Sequence, residues 1–238
     1  MKRYIPKELE PKWQQIWEET NLYKVTEKSG TRKSYVLDFF PYPSGATMHV
    51  GHVRNYVISD ALARYRRLKG ENVLHPMGWD AFGLPAENYA IKTGISPRVA
   101  TDQNKATFKR QLMSVGMGYD WSRELDSTDP NYYRWTQWFF QLLYKRGLAY
   151  QQEAEQWWCE TDQTVLANEQ VEAGKCWRCG NLVTKKLLKQ WFFKITDYAD
   201  EILDATDGLD WTEAVKASQR AWIGKSTGAE IEFEIENS

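Results

Sequence analysis

The stretch Phe39-Phe40-Pro41-Tyr42-Pro43-Ser44-Gly45-Ala46-Thr47-Met48-His49-Val50-Gly51-His52 joins the end of an apolar run to a proline- and glycine-bearing turn and then to the first turn of a helix. Two of the chain's three histidines lie in it. A helix N-terminus presents unpaired N–H groups and the positive end of the macrodipole. Histidines placed there, with a glycine between them that admits a ligand close to the backbone, suit a polyphosphate. A proline-rich turn carrying two surface histidines is the plainer reading of the same residues.

Outward from this stretch, Ser34 to Phe40 reads as a buried strand and Val73 to Met77 as the next one. Between them His49 to Leu68 reads as a helix with Val53, Val57, Ala61, Tyr65 and Leu68 on one face and Gly70 as its stop. Strand, loop, helix and strand in that order make a βαβ unit, whose ligand site lies at the carboxyl ends of its parallel strands. An amphipathic helix from Pro6 to Asn21, with Leu9, Trp13, Ile16 and Trp17 at helical spacing, is expected to lay its tryptophans on the sheet. Two further helices, Ser96 to Gly116 and Asp129 to Gly147, build a second layer, the latter through Tyr133, Trp135, Trp138, Phe139, Leu142 and Leu143. From Gln151 to Gln190 the chain turns short-period, turn-rich and cysteine-bearing. Trp191 to Ile195 then resumes as a strand and Tyr198 to Thr206 as a helix, and Gly228 to Glu236 alternates as a half-buried strand would.

At 238 residues there is room for one to two domains and a sizeable core. Thirty-one basic residues face 32 acidic ones, so any nucleic acid must be met by a local basic face and not by the field of the whole molecule. No apolar run approaches the ~20 residues of a membrane span, and Met1-Lys2-Arg3-Tyr4-Ile5-Pro6 lacks the apolar stretch of a signal peptide. No membrane partner and a cytoplasmic location are expected. Twelve tryptophans and thirteen tyrosines suit a core and cleft walls better than base stacking. Three cysteines without a secretory signal are better read as metal ligands or free thiols than as a disulfide framework.

Taken with Gly78-Trp79-Asp80-Ala81-Phe82-Gly83-Leu84-Pro85-Ala86-Glu87-Asn88, the histidine stretch resembles the signature of the class I aminoacyl-tRNA synthetases, and within them the leucine-specific branch. The resemblance continues through Gly118-Tyr119-Asp120-Trp121-Ser122-Arg123-Glu124, Thr164 to Val171 and Trp222 to Ser226. It implies an α/β fold: the first half of a Rossmann-like parallel-sheet nucleotide-binding domain over residues 1–150, with a zinc-ribbon-like insert over 151–190. A return to the catalytic core over 191–223 and the start of a truncated editing domain over 224–238 follow. The implied reaction is in-line attack of the leucine carboxylate on the α-phosphate of ATP, with Mg2+, and transfer of leucine to tRNA(Leu). By the same resemblance His49 and His52 are catalytic, and Pro41, Tyr42, Pro43, Ser44, Gly45, His49, Gly51 and His52 hold ATP. Phe39, Tyr42 and Asp80 hold leucine, Asp80 by pairing with its α-ammonium, although an aspartate after tryptophan also serves as a turn former.

Cys176-Trp177-Arg178-Cys179 is a C-x-x-C knuckle with Cys159 upstream, and Asp162 stands where a fourth cysteine is expected. Three thiolates and a carboxylate are acceptable to zinc; three reduced thiols in a ribbon that folds without metal is the alternative. Gly224-Lys225-Ser226 resembles the end of a phosphate loop, but Gln219 occupies the earlier glycine position and a helix-like stretch precedes it, so it is discarded. The lysine-rich second signature of the class is absent from these residues. The expectation is an N-terminal portion of a synthetase, unable to charge tRNA by itself: a fragment, a truncated product, or one subunit of a split enzyme completed by a second polypeptide. The competing readings are a non-catalytic paralogue that binds ATP, tRNA or a partner protein, and a free-standing zinc-ribbon interaction protein. The ribbon is too small a share of the chain to favour the last.

Overall fold

The computed structural model describes residues 3–27 and 30–233. The chain divides into two units, Met1–Gln137 and Trp138–Ser238.

In the first unit β1 (Lys33–Tyr35) and β2 (Asn72–Leu74) pair in parallel, Ser34 opposite Val73, with α2 (Val50–Leu68) as the crossover between them. A second parallel pair joins β3 (Gly78–Trp79) to β4 (Leu125–Asp126). Bonds from Asp120 N–H to the His75 carbonyl at 2.8 Å and from Leu125 N–H to the Met77 carbonyl at 3.1 Å continue the pairing along residues 75–77. The expected βαβ unit is therefore present. Its core gathers Tyr56, Met77, Trp79 and Tyr119 with Phe108 and Leu112 of α4 (Pro97–Ser114). A smaller cluster sets Ala63 of α2 on Val36 and Val73. At Gly78 a Cβ would lie 2.7 Å from the Phe40 ring and 2.8 Å from the Leu125 carbonyl, so only glycine lets β3 pass that close to both.

The apolar run after β1 is not buried on both faces. Val36 and Asp38 point inward, whereas Tyr35, Leu37 and Phe39 are 64%, 58% and 60% exposed. Regular strand stops at Tyr35, and Pro41 and Pro43 further on have no N–H to donate to a ladder. On α2 the buried residues are Tyr56, Asp60 and Ala63, while Val57, Tyr65 and Leu68 face outward. The inward stripe contains a charge, Asp60, which accepts from Gly118 N–H at 2.7 Å and pairs with Arg64 at 2.8 Å, so apolar spacing alone selects the wrong side. In α1 (Pro6–Glu19) Trp13 is exposed and Trp17 meets the edge of Tyr23 under the Arg64 guanidinium, and α1 buries no residue fully. Gly83 caps α3 (Leu84–Thr93), which opens with proline in its first turn, where a missing N–H costs nothing.

Helix α5 (Pro130–Lys145) runs across the division and buries none of its residues fully. In place of a closed second layer, its Phe140 and Tyr144 meet Trp191 edge-on at 5.0 and 5.7 Å. The second unit is built on β5 (Ala149–Cys159), antiparallel to β9 (Thr184–Phe193) in unbroken register from Ala149↔Phe193 to Trp158↔Thr184. Strand β6 (Thr164–Leu166) adds to the far end of β5, and β7 (Val171–Glu172) and β8 (Lys175–Cys176) form a small hairpin there. The returning strand thus starts at Thr184, earlier than its apolar end from Trp191 suggests, because lysines and leucines share it. After α6 (Ala199–Asp207), α7 (Glu213–Ile223) ends on Gly224 at φ 64°, a left-handed C-cap, which accounts for the discarded Gly224-Lys225-Ser226 as a helix terminus. Residues 228–233 form no strand, having no ladder partner among the described residues; Glu234 to Glu236 lie outside the described residues.

Candidate active site and cysteine cluster

Residues 39–52 connect the carboxyl end of β1 to the start of α2. Pro41 and Pro43 are buried, and α4 holds the loop: Asn104 Nδ2 donates to the Pro43 carbonyl at 2.9 Å and Gln111 Oε1 accepts from Met48 N–H at 3.0 Å. His49 is the N-cap of α2. Its Nδ1 accepts from Gly51 N–H at 3.0 Å, and His52 Nδ1 accepts from His49 N–H at 3.4 Å, with ring centroids 4.0 Å apart. A ring whose Nδ1 accepts carries its neutral-state proton on Nε2, so both imidazoles keep an Nε2–H donor for an anion. Burial, and then the adjacent His49, hold His52 below the ordinary imidazole range. Gly51 is needed by the histidine itself: a Cβ there would sit 2.7 and 2.8 Å from the His49 ring.

The second motif loop starts where β3 ends. Asp80 N–H donates to the Pro41 carbonyl at 3.1 Å, which sets the Asp80 loop directly against the Phe39 to Pro43 loop. Asp80 is half-buried, and no hydrogen bond or ion pair among the described residues uses its carboxylate. Phe39 and Tyr42 are exposed. The structure thus brings His49, Gly51 and His52 together at one helix start and Asp80 onto the neighbouring strand end, with Ser44 and Gly45 half-buried in the turn between. A cleft of about 670 Å³ lined by Ala81, Phe82, Glu87, Arg98 and Tyr133 lies beyond this loop and includes neither histidine nor Asp80.

Sequence reasoning missed the polar hub beneath these loops. Asp38 Oδ2 accepts from Tyr119 Oη at 2.7 Å and lies 3.1 Å from His75 Nε2, while Ser59 of α2 donates to Oδ1. Burial works against the Asp38 charge, yet donors from His75, Ser59 and Tyr119 hold its carboxyl below the usual carboxylate range. Four segments thereby meet on one side chain, two of them leading directly into the motif loops. The available signal was a carboxylate placed within an apolar run.

At the far end of the ribbon Cys159, Asp162, Cys176 and Cys179 offer four ligand atoms within 4.8 Å of one another. Cys159 and Cys176 are buried, and their sulfurs lie 3.5 and 3.2 Å from Asp162 Oδ2. Asp162 N–H and Arg178 N–H point at the Cys159 and Cys176 sulfurs, both at 3.4 Å. Burial pushes the Cys159 thiol up to about 11. Three sulfurs and one carboxylate converging on a point, with backbone N–H groups ready to stabilise thiolates, fit a tetrahedral zinc ion.

At the carboxyl ends of its parallel strands the first unit thus carries a histidine-capped helix and a carboxylate that no described side chain pairs. A family model described as tRNA synthetases class I (M) matches residues 35–184, and the chain belongs to that family. Within it the likeness is to leucine--tRNA ligases. The chain is 57% identical to that of Thermotoga maritima over 239 residues, covering 100% of this chain and 29% of the ligase. It is 58% identical to that of Caldanaerobacter subterraneus over 229 residues, covering 96% and 28%. A solved LeuRS-tRNA-LeuAMS ternary complex from Agrobacterium radiobacter matches with TM-score 0.86 at 44% identity, over 93% of this chain and 29% of that one. Mycobacterium tuberculosis methionyl-tRNA synthetase, in complex with methionyl-adenylate, shares the fold with TM-score 0.68 at 22% identity, over 81% and 38%. The chain therefore spans less than a third of the length of the ligases it matches.

Proposed function

We propose that this chain is the N-terminal catalytic part of a leucine-tRNA ligase, which activates leucine with ATP and passes it to tRNA(Leu). The observation that carries this reading is the pairing of two Nε2–H donors at the α2 start with the Asp80 carboxylate on the adjoining strand end. His49 and His52 donate to the phosphate oxygens of ATP as negative charge builds on the attacked phosphorus and leaving pyrophosphate, aided by the helix N-terminus. Gly51 keeps His49 in place, and the loop from Pro41 to Gly45 walls the nucleotide. Asp80 takes the α-ammonium of leucine, directing its carboxylate at the α-phosphate, while Phe39 and Tyr42 offer exposed apolar surface to the side chain. The outward row Tyr35, Leu37 and Phe39 on an open sheet edge is the surface against which the rest of the synthetase, on this polypeptide or a second one, closes the cleft.

Cys159, Asp162, Cys176 and Cys179 hold a structural zinc ion, which closes the ribbon end as a zinc-ribbon-like subdomain. The proposed ligase is cytoplasmic; no helix among the described residues is long and apolar enough to cross a membrane. The test is a chimera in which this chain replaces the matching part of the Thermotoga maritima ligase. Leucine-dependent ATP–pyrophosphate exchange is expected, reduced ~10²–10³-fold by His52→Ala. A folded chimera that exchanged with another amino acid, or was indifferent to His52→Ala and Asp80→Ala, would sink the proposal.

A further inference from the structure

Asp162 presents its two oxygens to different surroundings. Oδ2 faces inward, 3.5 Å from the Cys159 sulfur and 3.2 Å from the Cys176 sulfur. Oδ1 faces the other way, 3.9 Å from Nη1 of Arg178, whose side chain is 19% exposed. Arg178 stands between the two knuckle cysteines, and its Nε and Nη2 are buried without a hydrogen-bond partner among the described residues. A buried guanidinium with two unused donor atoms is costly unless an anion lies beside it. A loaded metal centre would be such an anion: a divalent ion held by three thiolates and one carboxylate keeps a double negative charge. No other cation is paired with Asp162 among the described residues.

We propose that Arg178 is a positioning residue of the metal centre: it holds Asp162 Oδ1 from behind, so that Oδ2 alone completes the three-sulfur site, and offsets the negative charge left on the loaded centre. The inference rests on the zinc reading of the cluster given above. A carboxylate is a weaker and more mobile zinc ligand than a fourth thiolate, and a guanidinium 3.9 Å away, able to close on Oδ1, restrains its orientation. Outer partners of this kind typically contribute about 10–100-fold to metal affinity.

The experiment uses the 238-residue chain. Metal analysis of the purified protein comes first, followed by zinc competition against a chromophoric chelator and cobalt(II) spectra for the unaltered chain, Arg178→Gln, Arg178→Lys, Asp162→Asn and the Arg178→Gln/Asp162→Asn double variant. Arg178→Gln is expected to weaken zinc about 10–100-fold while the sulfur-to-cobalt charge-transfer intensity of three thiolates persists and the ligand-field bands move to those of Asp162→Asn. Lysine, a point charge without the fork, recovers part of the affinity. The double variant should be no more than a few-fold weaker than Asp162→Asn alone. An unaltered chain without metal removes the zinc reading and this proposal with it. A zinc-loaded chain whose Arg178→Gln variant binds as tightly, or whose two losses multiply in full, overturns the role of Arg178 alone. Ribbon-wide collapse in Arg178→Gln is separated by Arg178→Lys and by the cobalt spectrum, since a collapsed site loses the sulfur bands too.

Discussion

Replacing Asp38 by alanine strips one buried carboxylate from three donors at once: Tyr119 Oη at 2.7 Å, His75 Nε2 at 3.1 Å and the Ser59 hydroxyl. A hydrogen bond to a charged group is worth about 1.5–3 kcal/mol net. Three of them set an upper bound of roughly 4.5–9 kcal/mol. Relaxation of Ser59 at the half-buried helix face and entry of water lower this, so about 3–5 kcal/mol is expected, a large part of the ~5–15 kcal/mol of a whole domain. In urea, with a slope near 2 kcal/mol per molar, the midpoint of the first unit should fall by roughly 2 M, followed by tryptophan fluorescence. Tyr119→Phe, which leaves Asp38 two donors, should cost about 1.5 kcal/mol. The sign with pH follows from the depressed folded pKa. Stability from ionised Asp38 is fully present above its ordinary value of 3.8 and lost as pH falls through the lower folded value, and Asp38→Ala should abolish that slope. A loss below about 1 kcal/mol for Asp38→Ala at neutral pH would refute the hub as a structural clamp.

Gly51→Ala should leave global stability within about 1 kcal/mol, since better helix propensity offsets the lost cap, yet displace the His49 ring; unchanged His49 ring-nitrogen shifts by NMR would contradict this. His52 should titrate below 6.5, so stability tied to its neutral form is present above that pH and declines as pH falls through the folded value; a midpoint at or above 6.5 by NMR would count against its burial beside His49. Purified chain should carry close to one zinc ion, and a chelator should increase amide exchange in β5 to β9 much more than in α2 and β2; metal far below stoichiometry, or uniform loosening, would refute the cluster as a zinc site.

The βαβ unit was legible because its signals are local: an apolar run, a turn with proline and glycine, a capped helix, a second run. His49, Gly51 and His52 could be placed at a helix start and Asp80 at a strand end for the same reason, and the cysteine cluster followed from knuckle spacing. What escaped depends on partners distant in sequence. The inward face of α2 was misassigned because Asp60 is buried against Gly118, 58 residues away. Asp38 and His75 passed unnoticed because nothing adjacent reveals that Ser59 and Tyr119 close on them. Apolar periodicity overreached at Tyr35, Leu37 and Phe39, which face outward despite their chemistry. The lysines of β9 disguised a strand that cross-strand pairing with β5 sustains, Glu155 bridging to Lys185 at 3.2 Å.

The register of β5 against β9 also bears on the order in which the second unit forms. The ribbon is roughly 30 Å long at ~3.4 Å per residue. Its pairing begins beside Cys159, and residues 160–183 must fold back before the first rung, Trp158↔Thr184, can form. Closing that excursion costs chain entropy before any ladder bond repays it, whereas each later rung toward Ala149↔Phe193 adds only a short extension. Metal held by the four proposed ligands would draw the ends of the excursion together first. The ribbon would then zip from tip to base, so with the proposed zinc bound this half of the chain is expected to fold faster than without it.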